Sequence, residues 1–300
     1  MTKALITAFL LALPQLAAAQ AQPLTAEGRP KKPRAALSAV YSHSSLANMK
    51  VTRAGARGEA LLGRAGTLEL RAIAEASRIN THSSGYFPSQ LYKTGFTITA
   101  ENKATRLAVN LNSNSDEPFY SPSETDLGFN FSRTFSERGA HAWLFGLIYS
   151  TRRSYARSLP LPFITYRYAS KDLFLLFPFM LRWQASAEIS FTASYQPVKY
   201  YRLSANWRPA PFFNATLEGG TTLEQFLLAG RPVKGEALYH ETSFLLLKPE
   251  FYLSRRLRLG AELGWQFSGA YYTGRAYDDH RNRTSAGSGR RAGLAAGYSF

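Results

Sequence analysis

Hydrophobic and polar residues alternate along several stretches of this chain. The same period of two recurs in residues 126–135, 187–196 and 200–208. Successive side chains of a β-strand point to opposite faces, so this period predicts strands that are apolar on one face only. The longest example is 256–267, whose apolar face is Leu257, Leu259, Ala261, Leu263, Trp265 and Phe267.

The pattern fits two all-β architectures. Strands of roughly ten residues separated by turn residues are typical of a transmembrane barrel, and a soluble periplasmic β-sandwich shows the same alternation. Aromatic pairs near strand ends favour the barrel, because such rings form girdles at the membrane surface. Examples are Tyr86–Phe87, Tyr200–Tyr201 and Phe251–Tyr252. The sequence therefore predicts an antiparallel transmembrane β-barrel.

The N-terminal region predicts export. Lys3 precedes an apolar run over 4–13, and Ala17, Ala18 and Ala19 offer a small-residue cleavage site. We predict a cleaved signal peptide over residues 1–21, a basic, proline-rich periplasmic leader over 22–36, and the barrel over 37–300. The run is too short to span a bilayer as a helix.

The number of strands is predicted from the turn signals and from the requirement for closure. A barrel with both termini in the periplasm needs an even number, and the turn signals predict about 12 to 14 strands. Prolines interrupt 161–181, and 63–77 also matches a helical stripe. Long polar loops are predicted at 112–124, 220–239 and 268–290.

The C-terminus carries an alternating apolar face that ends in an aromatic residue. Leu294, Tyr298 and Phe300 share one parity. In this respect the chain resembles bacterial outer-membrane proteins, including barrel families of uncharacterised function. The resemblance implies an outer-membrane location and insertion by the barrel-assembly machinery, with these three residues as the assembly signal.

Charge suggests the partners. The chain has 36 Lys and Arg against 20 Asp and Glu, a formal net charge of +16. Export argues against nucleic acid and favours contact with outer-membrane lipid and anionic lipopolysaccharide, or a cationic lumen, because Arg and Lys rings make pores prefer anions. The candidate lumen-lining residues are Arg106, Glu188, Arg202, Arg208, Glu218, Arg256, Arg258 and Glu262. Alternatively, these arginines pair with the acids and fill the barrel.

Little else in the chain predicts chemistry. There is no cysteine, and the five histidines lack metal-ligand spacing, so neither a metal nor a cofactor is predicted. Two segments, 43–45 and 82–84, each place a histidine two residues before a serine, a loose resemblance to lipid A deacylases. The preferred interpretation is a transport channel, not an enzyme. A non-conducting surface barrel and a membrane-embedded lipid hydrolase are the alternatives; the oligomeric state is not predicted.

Overall fold

The computed structural model describes residues 33–154, 156–196 and 200–300. These residues form sixteen antiparallel strands, so the prediction of 12 to 14 strands is wrong. The strands are β1 (Ala35–Leu46), β2 (Met49–Ala65), β3 (Leu68–Ser83), β4 (Gln90–Glu101), β5 (Thr105–Ser115), β6 (Asp126–Arg138), β7 (His141–Ser150), β8 (Leu161–Ala169), β9 (Leu173–Phe177), β10 (Met180–Gln184), β11 (Ile189–Gln196), β12 (Tyr200–Ala210), β13 (Phe213–Phe226), β14 (Ala237–Tyr252), β15 (Leu257–Gly274) and β16 (Arg281–Ser299).

Each strand pairs with its neighbours in sequence, and β1 pairs with β16 to close the barrel. The closing register runs from Ala36 opposite Ser299 to Leu46 opposite Gly289. Closure leaves no free sheet edge. A strand edge in the hydrocarbon region of a membrane would expose unpaired backbone N–H and C=O groups, so a barrel that crosses the membrane must be closed. The predicted signal peptide and most of the leader lie outside the described residues, and the first strand begins at Ala35.

The strand count went wrong around Pro178. In the sequence, 171–181 looks like a single strand that Pro178 interrupts, but in the structure residues 178–179 form a turn between the five-residue strands β9 and β10. Their register places Met180 opposite Leu176. The ambiguous stretch 63–77 is also strand: it contains the end of β2, the turn at 66–67 and the start of β3.

The apolar parity faces outward. Leu259, Leu263 and Trp265 are 42%, 54% and 45% exposed, whereas Gln266 on the opposite parity is 6% exposed. A soluble β-sandwich would bury these apolar side chains, so the structure selects the barrel. An exposed apolar belt on a closed antiparallel barrel belongs in hydrocarbon.

The two ends of the barrel differ. One end, here the short-turn end, holds Ala35, Ser299 and turns such as 66–67, 139–140 and 211–212. The opposite, long-loop end holds the loops 84–89, 116–125, 151–160, 227–236 and 275–280. In outer-membrane barrels short turns face the periplasm and long loops face outward.

The predicted long loops are wrong in their bounds. Much of 220–239 and 268–290 belongs to β13, β14, β15 and β16, which continue as paired strands beyond the apolar belt. Glu224, for example, lies opposite His240. The sequence predicts loops in these stretches because their residues are polar or small and do not alternate with apolar residues that face lipid.

The loop-end parts of β13, β14 and β15 fold into the lumen. We call residues 221–226, 237–244 and 269–274 the infolded segment. All residues of 237–240 and 269–272 are buried, so both faces of these strands are covered. Irregular pairing at Glu241/Ser243 and between Gln266 and Thr273 accompanies the departure from the wall. Bulges of this kind bend a strand and increase its twist.

Candidate functional site: the charged lumen

A cavity of about 590 Å³ occupies the centre of the lumen. Side chains from β1–β7 and β12–β16 line it, together with residues of the loop 151–160. Beside it, the inner faces of β7–β10 are filled by an apolar cluster formed by Ile148, Phe163, Leu176, Phe179 and Met180. The open part of the lumen is therefore smaller than a 16-stranded wall would allow.

Near the long-loop end, the infolded segment packs against the β1–β4 side of the barrel. Phe226, Leu238 and Tyr271 pack against Phe87 and Leu91, within an apolar cluster that also holds Leu46, Met49, Ile79 and Ala286. The other face carries Ala237, Tyr239 and Tyr272, which pack with Leu227 of the following loop. Burial of both faces therefore stabilises the inward position.

Glu224 is the centre of a charge cluster that crosses the lumen. Its carboxylate accepts two hydrogen bonds of 2.8 Å from Arg53 Nη2 on β2, and one from Lys93 Nζ on β4. His240 Nδ1 lies 3.6 Å from the same carboxylate. We call these four residues the lumen cluster. They hold the infolded segment to the opposite wall in addition to the apolar contacts.

A second charge cluster lies on β12, β13 and β14. Glu218 accepts a 3.0 Å hydrogen bond from Lys248 Nζ, and Arg202 Nε is 3.4 Å from the same oxygen. The Arg202 guanidinium lies over the rings of Tyr200 and Phe244, at 5.4 and 6.0 Å from their centroids. Aromatic faces attract a cation, so these rings help to hold the Arg202 guanidinium at the cavity wall.

Cations outnumber acids around the cavity. Its lining contains seven Lys or Arg side chains and four Asp or Glu side chains. Glu218 and Glu224 each face two cations, while Asp126 accepts hydrogen bonds from Ser150, Thr151 and the backbone N–H of Arg152. Three of the four acids thus have partners close by, and the cavity lining retains an excess of positive charge.

The residues predicted from the sequence take different positions. Arg202 and Glu218 line the cavity. Glu262 binds Arg291 Nε at 2.8 Å beside it. The other inward residues lie near the short-turn end: Arg106 is opposite Ser132, Arg258 is 4.0 Å from Glu250, and Arg208 lies over the Tyr252 ring at 5.6 Å. Glu188 and Arg256 are in the turns 185–188 and 253–256.

Sequence reasoning missed most of the charges that meet in the cavity. Arg53, Lys93, Glu224, Lys248 and Arg291 all line it. Their parity could have placed them inside, since Arg53 alternates with the outward Thr52 and Ala54. No sequence signal pairs Arg53 with Glu224, because these residues are 171 positions apart.

The predicted assembly residues lie in the last strand, which holds Leu294 and Tyr298, and directly after it, at Phe300. Leu294 and Tyr298 point outward, and Tyr298 packs edge-on against Phe300 with ring centroids 4.8 Å apart. The backbone N–H of Phe300 donates to the carbonyl oxygen of Ala35 at 2.8 Å. These residues therefore sit at the seam where β1 and β16 close the barrel.

Side chains join the loops at the long-loop end. Arg231 donates to Glu124 Oε1 at 2.9 Å and to the carbonyl oxygen of Ser123 at 2.6 Å. Arg157 donates to the carbonyl oxygens of Gly235 and Arg275. Burial favours a higher pKa for Glu124, but hydrogen bonds from Ser121, Ser123 and Arg231 and the Arg231 charge lower its pKa to about 2.

The loop 227–236 crosses the mouth of the barrel. The N–H of Leu227 donates to the carbonyl oxygen of Asn114 on β5, and the N–H of Ala229 donates to Asp116, both at 2.8 Å. In a 16-stranded barrel, β5 lies opposite β13. The loops thus narrow the long-loop end.

The two histidine–serine pairs lie away from the cavity. His43 and Ser45 are exposed on the outer face of β1, where His43 Nδ1 is 3.0 Å from Thr52 Oγ1. His82 is exposed on β3, and Ser84 belongs to the loop 84–89. Among the described residues, no three His, Cys, Asp or Glu side chains gather as metal ligands. In the same part of the chain, no helix is long and apolar enough to cross a membrane.

The closed strand order, the outward apolar belt and the separation of short turns from long loops define a bacterial outer-membrane β-barrel. Solved barrels of this class resemble the chain in fold. The COG4313 outer membrane channel from Pseudomonas putida F1 is 10% identical, with a TM-score of 0.41 over 94% of this chain and 100% of the other.

Two further solved structures are similar. The KdgM porin in complex with disordered oligogalacturonate is 11% identical, with a TM-score of 0.32 over 88% of this chain and 99% of the porin. OprB of Pseudomonas putida, in its high-pH structure, is 9% identical, with a TM-score of 0.38 over 89% and 93%. The sequence matches no family model and no curated protein. The similarity is limited to the barrel fold.

Proposed function

We propose that this protein is an outer-membrane channel for small anionic solutes. The observation that carries the proposal is the cavity, where seven cations and four acids line a water-accessible space of about 590 Å³. A low-dielectric wall concentrates such a field, so anions enter more readily than cations. The wall of sixteen strands is wide enough for an aqueous path, even though the infolded segment and the loops narrow it.

Single-channel recording in a planar bilayer tests this function. The refolded protein should give discrete conductance steps, with a reversal potential under a KCl gradient that indicates anion preference. Replacing Arg202 and Lys248 with Gln removes two cavity cations and should reduce that preference. The matched control is Lys50→Gln with Arg290→Gln, which removes two cations from the outer face and should leave selectivity unchanged.

A non-conducting surface barrel is the second candidate. The interlocked loops and the infolded segment favour it, because together they cover much of the long-loop end. Protein that circular dichroism and heat-modifiable gel mobility report as folded, but that gives no conductance steps at any voltage tested, would overturn the channel proposal and support this one.

A further inference from the structure

Two cations occupy the outer face of the barrel next to the seam. Lys50 on β2 and Arg290 on β16 are each paired in register with Ser45 on β1. All three residues are exposed, and Arg290 lies opposite the outward Trp265. Neighbouring strands are about 4.8 Å apart, so the Cα atoms of Lys50 and Arg290 are about 10 Å apart. The Ser45 hydroxyl lies between the two side chains. The long side chains of Lys50 and Arg290 can reach one shared anion.

The surroundings of this site are polar above and apolar below. His82 lies opposite Lys50, and one register step lower His43 lies opposite Thr52. Below these residues the outer faces of β1, β2 and β16 are mainly apolar, with alanines such as Ala39, Ala54 and Ala296 beside Tyr41 and Leu294. On the next strand, β3, the outward Arg78 lies opposite Ala54. The outward positions of β1, β2 and β3, and those of β16 from Arg290 to Tyr298, carry no acid among the described residues.

We propose that Lys50, Arg290 and Ser45 bind a phosphate on the headgroup of a lipopolysaccharide molecule in the outer leaflet. The cations face outward toward the long-loop end, at the upper edge of the apolar belt, where a headgroup phosphate meets the wall. The alanine-rich outer face of β1, β2 and β16 below the two cations can pack against acyl chains that lie along the barrel wall. A second copy of this chain fits less well, because its equivalent face would bring like charges together with no acid to pair them.

The proposal does not depend on the channel function. It is tested on the whole protein in detergent, titrated with diphosphorylated lipid A, with the same lipid after enzymatic removal of its phosphates, and with inorganic phosphate. Native mass spectrometry counts the bound molecules. Each basic residue near an anionic lipid surface contributes about a factor of five to binding, so Lys50→Ala with Arg290→Ala should bind diphosphorylated lipid A about 25-fold more weakly.

The matched control is Lys171→Ala with Arg255→Ala, which removes two exposed cations from turns at the short-turn end. This variant should bind like the wild type. Circular dichroism and gel mobility establish that all variants are folded before titration.

Several results would overturn the proposal. These are equal binding by the wild type and the Lys50/Arg290 variant, an equal loss in the control variant, and equal binding of the dephosphorylated lipid. Competition by millimolar inorganic phosphate without lipid A binding would identify a free-anion site instead. Lipid-independent self-association that the Lys50/Arg290 variant abolishes would identify an interface between copies of the chain.

Discussion

The lumen is filled in different ways on its two sides. On the β7–β10 side, the strands stay in the wall and inward rings such as Phe163 fill the space. Burial along β7 still alternates residue by residue, from exposed Trp143 to buried Leu144. On the β13–β15 side, the strands themselves move inward, and four successive residues, 237–240, are all buried.

This difference matters for both stability and permeation. Side chains on a fixed wall reduce the width of the lumen permanently. A segment that leaves the wall depends on contacts with the opposite wall, namely the apolar cluster around Phe226 and the lumen cluster around Glu224. Substitutions that remove these contacts should therefore shift the infolded segment without changing the rest of the barrel wall.

The largest effect is expected from Phe226→Ala. Phe226 is 1% exposed and packs edge-on against Phe87, so the change leaves a cavity that costs about 3–5 kcal/mol. Hydrogen exchange of 221–226 and 237–244 should accelerate, and unit conductance should rise. Leu217→Ala is the control, since Leu217 faces outward on the same strand and is 50% exposed. Unchanged exchange in the Phe226 variant would contradict the packing account.

Gly146→Ala addresses the opposite side. A Cβ at Gly146 would lie 2.0 Å from the Phe163 ring and 2.7 Å from the carbonyl oxygen of Phe131. Displacing a buried ring by overpacking costs about 1–3 kcal/mol. The urea midpoint of unfolding should fall, while exchange of the infolded segment stays the same. Gly219→Ala is the matched control, because its Cβ would meet Leu245 Cδ1 at an ordinary 3.4 Å. Equal midpoints for both variants would refute the tight contact.

Glu224→Gln separates charge from packing. The change leaves Arg53 and Lys93 without their shared carboxylate, and because these side chains keep some solvent contact, we expect a loss of about 1–3 kcal/mol. It also adds positive charge to the lumen, so anion preference should increase. Glu137→Gln, at an exposed acid near the short-turn end, should change neither quantity. A decrease in anion preference would contradict the expectation that the Glu224 carboxylate neutralises cations in the lumen.

The sequence predicted the parts of the wall that touch lipid. The parity of Leu259, Leu263 and Trp265 placed the outer face correctly, because one face meets hydrocarbon and the other meets water. The same rule fails for 237–240, where protein covers both faces and no alternation remains. Alternation also fails to define β9 and β10. Each strand has only five residues, so the pattern around Pro178 fits one interrupted strand as well as two short ones.

The sequence predicted that charged residues face the lumen, but it did not identify which of them meet there. Arg202 and Glu218 were expected to line the lumen, and they lie in the cavity wall. The contacts of Arg53 with Glu224 arise from strand order, from curvature of the wall and from bulges in β14 and β15. These are properties of the closed barrel, and a single sequence does not determine which inward residues meet across it.

The smallest effect concerns pH at the loops. The pKa of Glu124 is lowered to about 2, so its pairing with Arg231 stabilises the folded loops fully above the ordinary carboxyl range. This stability is lost as the pH falls from about 4.5 toward 2. Limited proteolysis of 116–125 and 227–236 should be constant above pH 5 and increase below it. In Glu124→Gln the rate should be higher at neutral pH and independent of pH; a pH response that persists in this variant would assign it to another group.

Arg157 has a consequence for how the surface of this protein can evolve. Its guanidinium joins three loops, yet its acceptors on the other two are the backbone carbonyl oxygens of Gly235 and Arg275. Any amino acid offers that acceptor, so the side chains of these two loops can change without loss of the connection. Substitutions at positions 235 and 275 should therefore leave the three loops joined, whereas Arg157→Ala removes the group that joins them.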